Sequence, residues 1–121
     1  MQLGAEDIFN LLRNKFPELQ AVVLIGAAGT VRFHAAPNSS LDLESFAAEY
    51  STLYRIALRT AQDTAMGDAF EQILISNKSV LLLRRFGTGN LAVFVCGPNP
   101  QLGRLRFEIR NLARRLPDSV F

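Results

Sequence analysis

At 121 residues, with 49% hydrophobic residues and a formal net charge of +2, the chain has the length of one domain and can bury a core without disulfides or metal. So small a charge gives bulk electrostatics no reason to demand nucleic acid or membrane, and no apolar stretch approaches the roughly 18 residues of a membrane span. The single cysteine, Cys96, cannot form an internal disulfide, so a reducing cytoplasm is the expected setting. Met1–Phe9 lacks a basic n-region and a long apolar run, so no signal peptide is expected. Asn38-Ser39-Ser40 is too short to divide domains, and residues 1–121 read as one domain.

Residues 5–16 read as a first helix, with Ile8, Leu11, Leu12 and Phe16 on one stripe and Pro17 to stop it. Ala21-Val22-Val23-Leu24-Ile25 is short, continuous and β-branched, which predicts a strand covered on both faces. Gly26-Ala27-Ala28-Gly29 turns the chain into Thr30–Ala35. There Val31, Phe33 and Ala35 alternate with Arg32 and His34, a strand with one wetter face. Asp42 suits the N-cap of a long helix over Asp42–Ala65, with Leu41 and Phe46 placed as a hydrophobic staple. Leu43, Phe46, Ala47, Tyr50, Leu53, Tyr54, Ala57, Leu58 and Ala61 share an arc of roughly 140°, expected to lie on the sheet. Gly67 is expected to end the segment.

Phe70–Ser76 is the third strand, and Asn77-Lys78 turns it into Val80–Arg84. Gly87-Thr88-Gly89-Asn90 makes the next turn, into Leu91–Cys96; both of these later strands are continuously apolar and therefore central. Pro98 and Pro100 bracket a loop before a last helix over 101–116. Leu102, Leu105, Ile109, Leu112, Ala113 and Leu116 form its stripe, Arg104, Arg106, Arg110, Arg114 and Arg115 lie outside it, and Pro117 closes it. The order α-β-β-α-β-β-β-α defines an α+β chain. Central strands buried on both faces need two covering layers, met by the long helix on one face and the two terminal helices on the other.

The third strand follows a crossover and precedes a hairpin, so it is expected at a sheet edge. It has no proline and one charge, an aggregation hazard unless something pairs with it. A second copy of the chain solves this by strand pairing across a two-fold axis through Phe70, Gln72, Ile73, Leu74 and Ile75. The long helices then lie side by side, with Ala48, Ser51 and Thr52 small enough for close approach and Ile56 apolar among polar neighbours on the same outer face.

Chemistry is hard to find. His34 and Cys96 stand in different strands and form no metal-ligand cluster, so no metal or cofactor is expected. A phosphate-cradling loop runs from a strand into a helix N-terminus, whereas both glycine-rich turns here lead into strands. Asp42, Glu44, Glu49, Asp63, Asp68, Glu71 and Glu108 are scattered without an acid/base pair, and no serine sits in a nucleophile elbow. The arginines of the last helix suit an acidic partner or a plain solvated face. Nucleic-acid binding would also want interleaved exposed aromatics, which Phe107 alone does not supply.

Five stretches nonetheless form a familiar pattern: Val22–Thr30 (VVLIGAAGT), Leu43–Gly67, Phe70–Leu83 (FEQILISNKSVLLL), Asn90–Pro98 (NLAVFVCGP) and Leu102–Leu116. Together they resemble the roadblock (dynein light chain) family, particularly its bacterial and archaeal members, small proteins that regulate Ras-like GTPases. The resemblance covers nearly the whole chain and rests on hydrophobic pattern and element order. It implies a five-stranded antiparallel sheet of order 2-1-5-4-3 and homodimers that pair their third strands. It also implies that a Ras-like GTPase binds on the paired-helix side, which here would present Glu44, Ala48, Arg55, Ile56, Arg59 and Gln62. Some members raise GTP hydrolysis without an arginine finger, and others are adaptors that hold complexes together. A small-molecule sensor would instead need converging polar groups in a cavity, and the central strands carry almost none.

Overall fold

The computed structural model describes residues 5–35 and 40–115. Its elements run α1 (Ala5–Lys15), β1 (Leu19–Ile25), β2 (Val31–Ala35), α2 (Leu43–Asp63), β3 (Glu71–Ile75), β4 (Val80–Phe86), β5 (Asn90–Cys96) and α3 (Leu102–Arg115). All five strands form one antiparallel sheet of order β2-β1-β5-β4-β3, as the resemblance implied. The continuously apolar β1, β4 and β5 occupy the middle, and β2 and β3 are the edges. The expected Leu116 and Pro117 at the end of the last helix, and the Asn38-Ser39 pair, lie outside the described residues.

Strand alternation splits the core in two. On one face Ile8, Phe9 and Leu12 of α1, Phe16 just after it, and Leu105, Ile109 and Leu112 of α3 bury against Val22, Leu24, Leu82 and Phe94. On the other, Ala47 and Tyr54 of α2 meet Ala21, Val23, Ile25, Leu81, Leu83, Leu91, Val93 and Val95. At about 1.5–3 kcal/mol for each fully buried large aliphatic or aromatic side chain, these faces supply the main driving force for folding.

Two local details depart from the sequence expectation. Val31 was expected on the same side as Phe33 and Ala35. A register shift between Leu24 and Ile25 pairs Ile25 with Val31 but Leu24 with Phe33. Such a bulge inserts one residue, so Val31 turns to the α2 face while Phe33 and Ala35 stay on the α1/α3 face. The second detail is the end of α2. Its N-cap is Asp42, whose carboxylate accepts from the Ser45 N–H at 3.3 Å, and the helix stops at Asp63 with Thr64 as its C-cap, just short of the expected Ala65, so that the closing residue is not Gly67. Ala65 adopts φ 61°, its N–H donates to Gln62 O, and the Met66 N–H donates to Ala61 O at 2.7 Å. This is a Schellman closure with alanine where glycine is usual.

Candidate interaction surface

The described residues contain no group of three or more His, Cys, Asp or Glu able to hold a metal ion. His34 is exposed on β2, while Cys96 is buried under the α1/α3 layer. Burial pushes the Cys96 thiol up to about 11, with repulsion from Glu18 adding to it. A protonated, water-excluded thiol is a poor nucleophile. The features that stand out instead are one strand edge and one helix.

β3 holds to β4 through bonds that fix its phase. The Arg85 N–H donates to Phe70 O and the Ser76 N–H to Ser79 O, both at 2.9 Å. Antiparallel pairs alternate, so the even-numbered residues face β4 and the backbone groups of Glu71, Ile73 and Ile75 point to the open edge. The expected edge residues are placed as follows. Leu74 is partly exposed on the α2 face, and Gln72 lies half-buried beside it with its side-chain oxygen unpartnered. Ile73 packs on the α1/α3 core, and Ile75 is 67% exposed. Phe70 precedes the strand and lies exposed under the guanidinium of Arg85, 4.7 Å from its ring centre. Glu71 anchors the edge to the layer behind it, accepting from Arg106 Nε at 3.1 Å and Nη2 at 2.9 Å, with Arg84 at 3.9 Å.

α2 packs most closely over β1 and β2, and its most buried residues are Ala47, Ser51 and Tyr54. Ser51 was expected on the outer face. It is 7% exposed, points toward the sheet, and its hydroxyl lacks a partner. The reason is rotational. The apolar arc is centred by its large residues, yet the small Ala47 and Ser51 are the ones that fit close to the strands. One flank of α2 therefore faces the β1–β2 turn. There Ser51, Tyr54 and Arg55 meet Gly26, Gly29 and Gly89 around a cleft of about 220 Å³, and Glu44 stands near Thr30 and Val31. Gly29 (φ 83°) and Gly89 (φ 121°) take the positive-φ conformations that the turns on this side require. The opposite flank is an open apolar groove in which Phe46, Tyr50 and Leu53 face Leu74 of β3. The Phe46 and Tyr50 rings lie 4.6 Å apart along its wall. These residues were assigned wholly to the core by periodicity, and only the structure leaves them half-buried.

The outward face carries the rest of the expected set. Ile56 is 57% exposed, and Glu44, Ala48, Thr52, Arg55, Arg59 and Gln62 are exposed around it. Several are engaged with their own chain. The Thr52 hydroxyl donates to Ala48 O at 2.8 Å, and Arg55 Nε donates weakly to Ser51 O at 3.4 Å. Arg59 pairs loosely with Asp63 at 3.6 Å, and the Gln62 amide donates to Asp68 at 2.9 Å. Inside, the Tyr54 hydroxyl donates to Ala69 O at 2.7 Å. Burial raises its pKa, and the Arg85 charge works against that rise.

A sheet of order 2-1-5-4-3, with one long helix on one face and two terminal helices on the other, is the Roadblock/LC7 fold, and this chain has it. A Roadblock/LC7 domain from Streptomyces avermitilis superposes with a TM-score of 0.81 at 18% identity, covering 93% of each chain. The gliding protein MglB from Thermus thermophilus is similar over 99% of this chain and 93% of its own, at 15% identity and a TM-score of 0.81. An MglB structure with a tetrameric arrangement matches with a TM-score of 0.82 at 16% identity over the same shares. No protein-family model matches the sequence, and no curated protein aligns with it at significance.

Proposed function

We propose that this chain is a non-catalytic regulator of a Ras-like GTPase that works as a homodimer in the cytoplasm, all within one domain. The carrying observation is the unfinished α2 side: an open β3 edge continuous with an apolar groove under α2, beside an outward helix face bearing exposed Ile56. The Roadblock/LC7 fold and its likeness to MglB structures support the class of partner that the family resemblance implies. A second copy adds its β3 to the edge, antiparallel, through Phe70, Gln72, Ile73, Leu74 and Ile75. Its α2 then enters the groove beside Phe46, Tyr50 and Leu53. This moves the helix contact away from the Ala48, Ser51 and Thr52 side toward the flank next to β3. The GTPase docks on the outward face through Glu44, Arg55, Ile56, Arg59 and Gln62 and has its switch segments ordered there, so that its own residues hydrolyse GTP.

Two experiments test this. Sedimentation velocity should show a dimer that Tyr50→Glu dissociates and Ala48→Glu leaves intact; the reverse pattern rejects the groove as the self-association site. Ras-like GTPases from the same organism, loaded with GDP or a non-hydrolysable GTP analogue, should bind preferentially in the GTP form, and hydrolysis should accelerate. Arg55→Ala and Ile56→Glu should weaken that binding with the fold intact. Equal binding in both nucleotide states would make the protein a scaffold adaptor, and no binding would remove the GTPase reading.

A further inference from the structure

The outer face of α3 serves neither the core nor the surfaces above. Five arginines against one glutamate give this helix a charge of +4, twice that of the whole chain. Glu71 takes up Arg106, and Glu108 is occupied by Lys15 of α1 at 3.2 Å. Arg104, Arg110, Arg114 and Arg115 meet no carboxylate among the described residues; Arg104 donates to Gln101 and lies over the Phe16 ring. Helical spacing puts Arg110 and Arg114 opposite Leu105, Ile109 and Leu112 with Phe107 beside them, and Arg104 and Arg115 on the flank next to Phe107. Phe107 is 58% exposed, flanked by Arg104 and Arg110 one turn to either side. Leu11, 40% exposed, lies on α1 one turn before Lys15, on the flank that meets α3. The Phe107 ring thus lies exposed among arginines that no carboxylate of the described residues neutralises.

We propose that this face docks the protein peripherally on an anionic lipid bilayer, the arginines meeting lipid phosphates and Phe107 entering the headgroup boundary. The chemistry fits the surface of a membrane and not its interior: no helix among the described residues is long and apolar enough to cross one. The shape favours a lipid plane over an acidic peptide, because the face is the outer surface of a helix and the four clefts described are lined by residues outside α3. Single-stranded nucleic acid would need a series of stacking rings where α3 offers one.

The test is co-sedimentation of the full chain with phosphatidylcholine vesicles, with and without about 30% phosphatidylglycerol, at about 50 mM and about 500 mM salt. The expected result is binding to the anionic vesicles alone, lost at high salt. Each surface arginine contributes about fivefold, so Arg110→Ser with Arg114→Ser weakens binding roughly 25-fold. Phe107→Ser weakens it about fivefold or more and leaves the melting temperature unchanged. No binding to anionic vesicles at low salt, or equal binding by the folded variants, overturns the proposal. Capture by soluble poly-glutamate without vesicle binding overturns it in favour of an acidic protein partner. No GTPase enters the experiment, so its outcome is separate from that of the regulatory reading.

Discussion

The two faces of the sheet are covered by different rules. Under α1 and α3, large side chains such as Phe16, Phe94, Leu82 and Leu105 are fully enclosed, and both helices aim their apolar stripes straight at the strands. Under α2, the closest contacts come from Ala47, Ser51 and Tyr54, while Phe46, Tyr50 and Leu53 remain half in water. One face is a finished core and the other has apolar material left over. That surplus is the apolar surface that the proposed second copy would cover.

The sharpest way to break the comparison is to cut each face in turn. Phe16→Ala empties the centre of the closed face and should cost about 3–5 kcal/mol in urea unfolding, a large share of the stability of a domain this size. Tyr50→Ala on the open face should cost far less in the dissociated chain. Equal losses would show that both faces are complete cores.

Alkaline pH gives the next largest effect. The Cys96 thiol, on the closed face, is raised from its ordinary 9.0 to about 11 by burial. Its folded pKa is the higher one, so the unfolded chain loses the proton first as pH rises. The contribution is whole below about pH 9 and is lost by about pH 11, roughly 2–3 kcal/mol. The upward shift of Tyr54, on the open face, acts in the same direction. Cys96→Ala should flatten the alkaline fall of the melting temperature without abolishing it, and an unchanged slope would show that the thiol is hydrated.

Tyr54→Phe removes the 2.7 Å bond to Ala69 O and should cost about 1 kcal/mol by denaturant titration. Ala65→Gly relieves the left-handed alanine at the end of α2 and should add about 0.5–1 kcal/mol, visible as a small rise in melting temperature. Arg59→Ala, which removes an exposed pair with Asp63, should change stability by less than about 0.5 kcal/mol. That variant separates the proposed partner-facing role of Arg59 from any structural one.

The central strands, the layer assignment and the exposure of the third strand were legible because continuous apolar strands declare themselves central and a crossover followed by a hairpin declares an edge. Three features were not. The bulge that turns Val31 leaves no mark in composition, since it depends on how two strands meet at the Gly26–Gly29 turn. Ser51 was misplaced because the apolar arc of α2 as a whole centres near Leu43, Tyr50 and Ala61, roughly 60° from the side nearest the strands at 100° per residue. An apolar arc wider than the sheet beneath it was the available signal of an open flank. The end of α2 was placed within two residues, but the residue that closes it is Ala65 and not Gly67, which advertises a helix stop more strongly.

The bond from Tyr54 to Ala69 carries a further consequence. Ala69 stands just before Phe70 and β3, so one side chain ties the helix proposed to hold a GTPase to the strand proposed to hold a second copy. A ligand that shifts α2 pulls on the start of the edge strand, and pairing at the edge pulls back on α2. Reciprocity then fixes the arithmetic: whatever factor assembly adds to the affinity for the partner, the partner must return to assembly. Tyr54→Phe cuts that lever and should bring the shared factor closer to one.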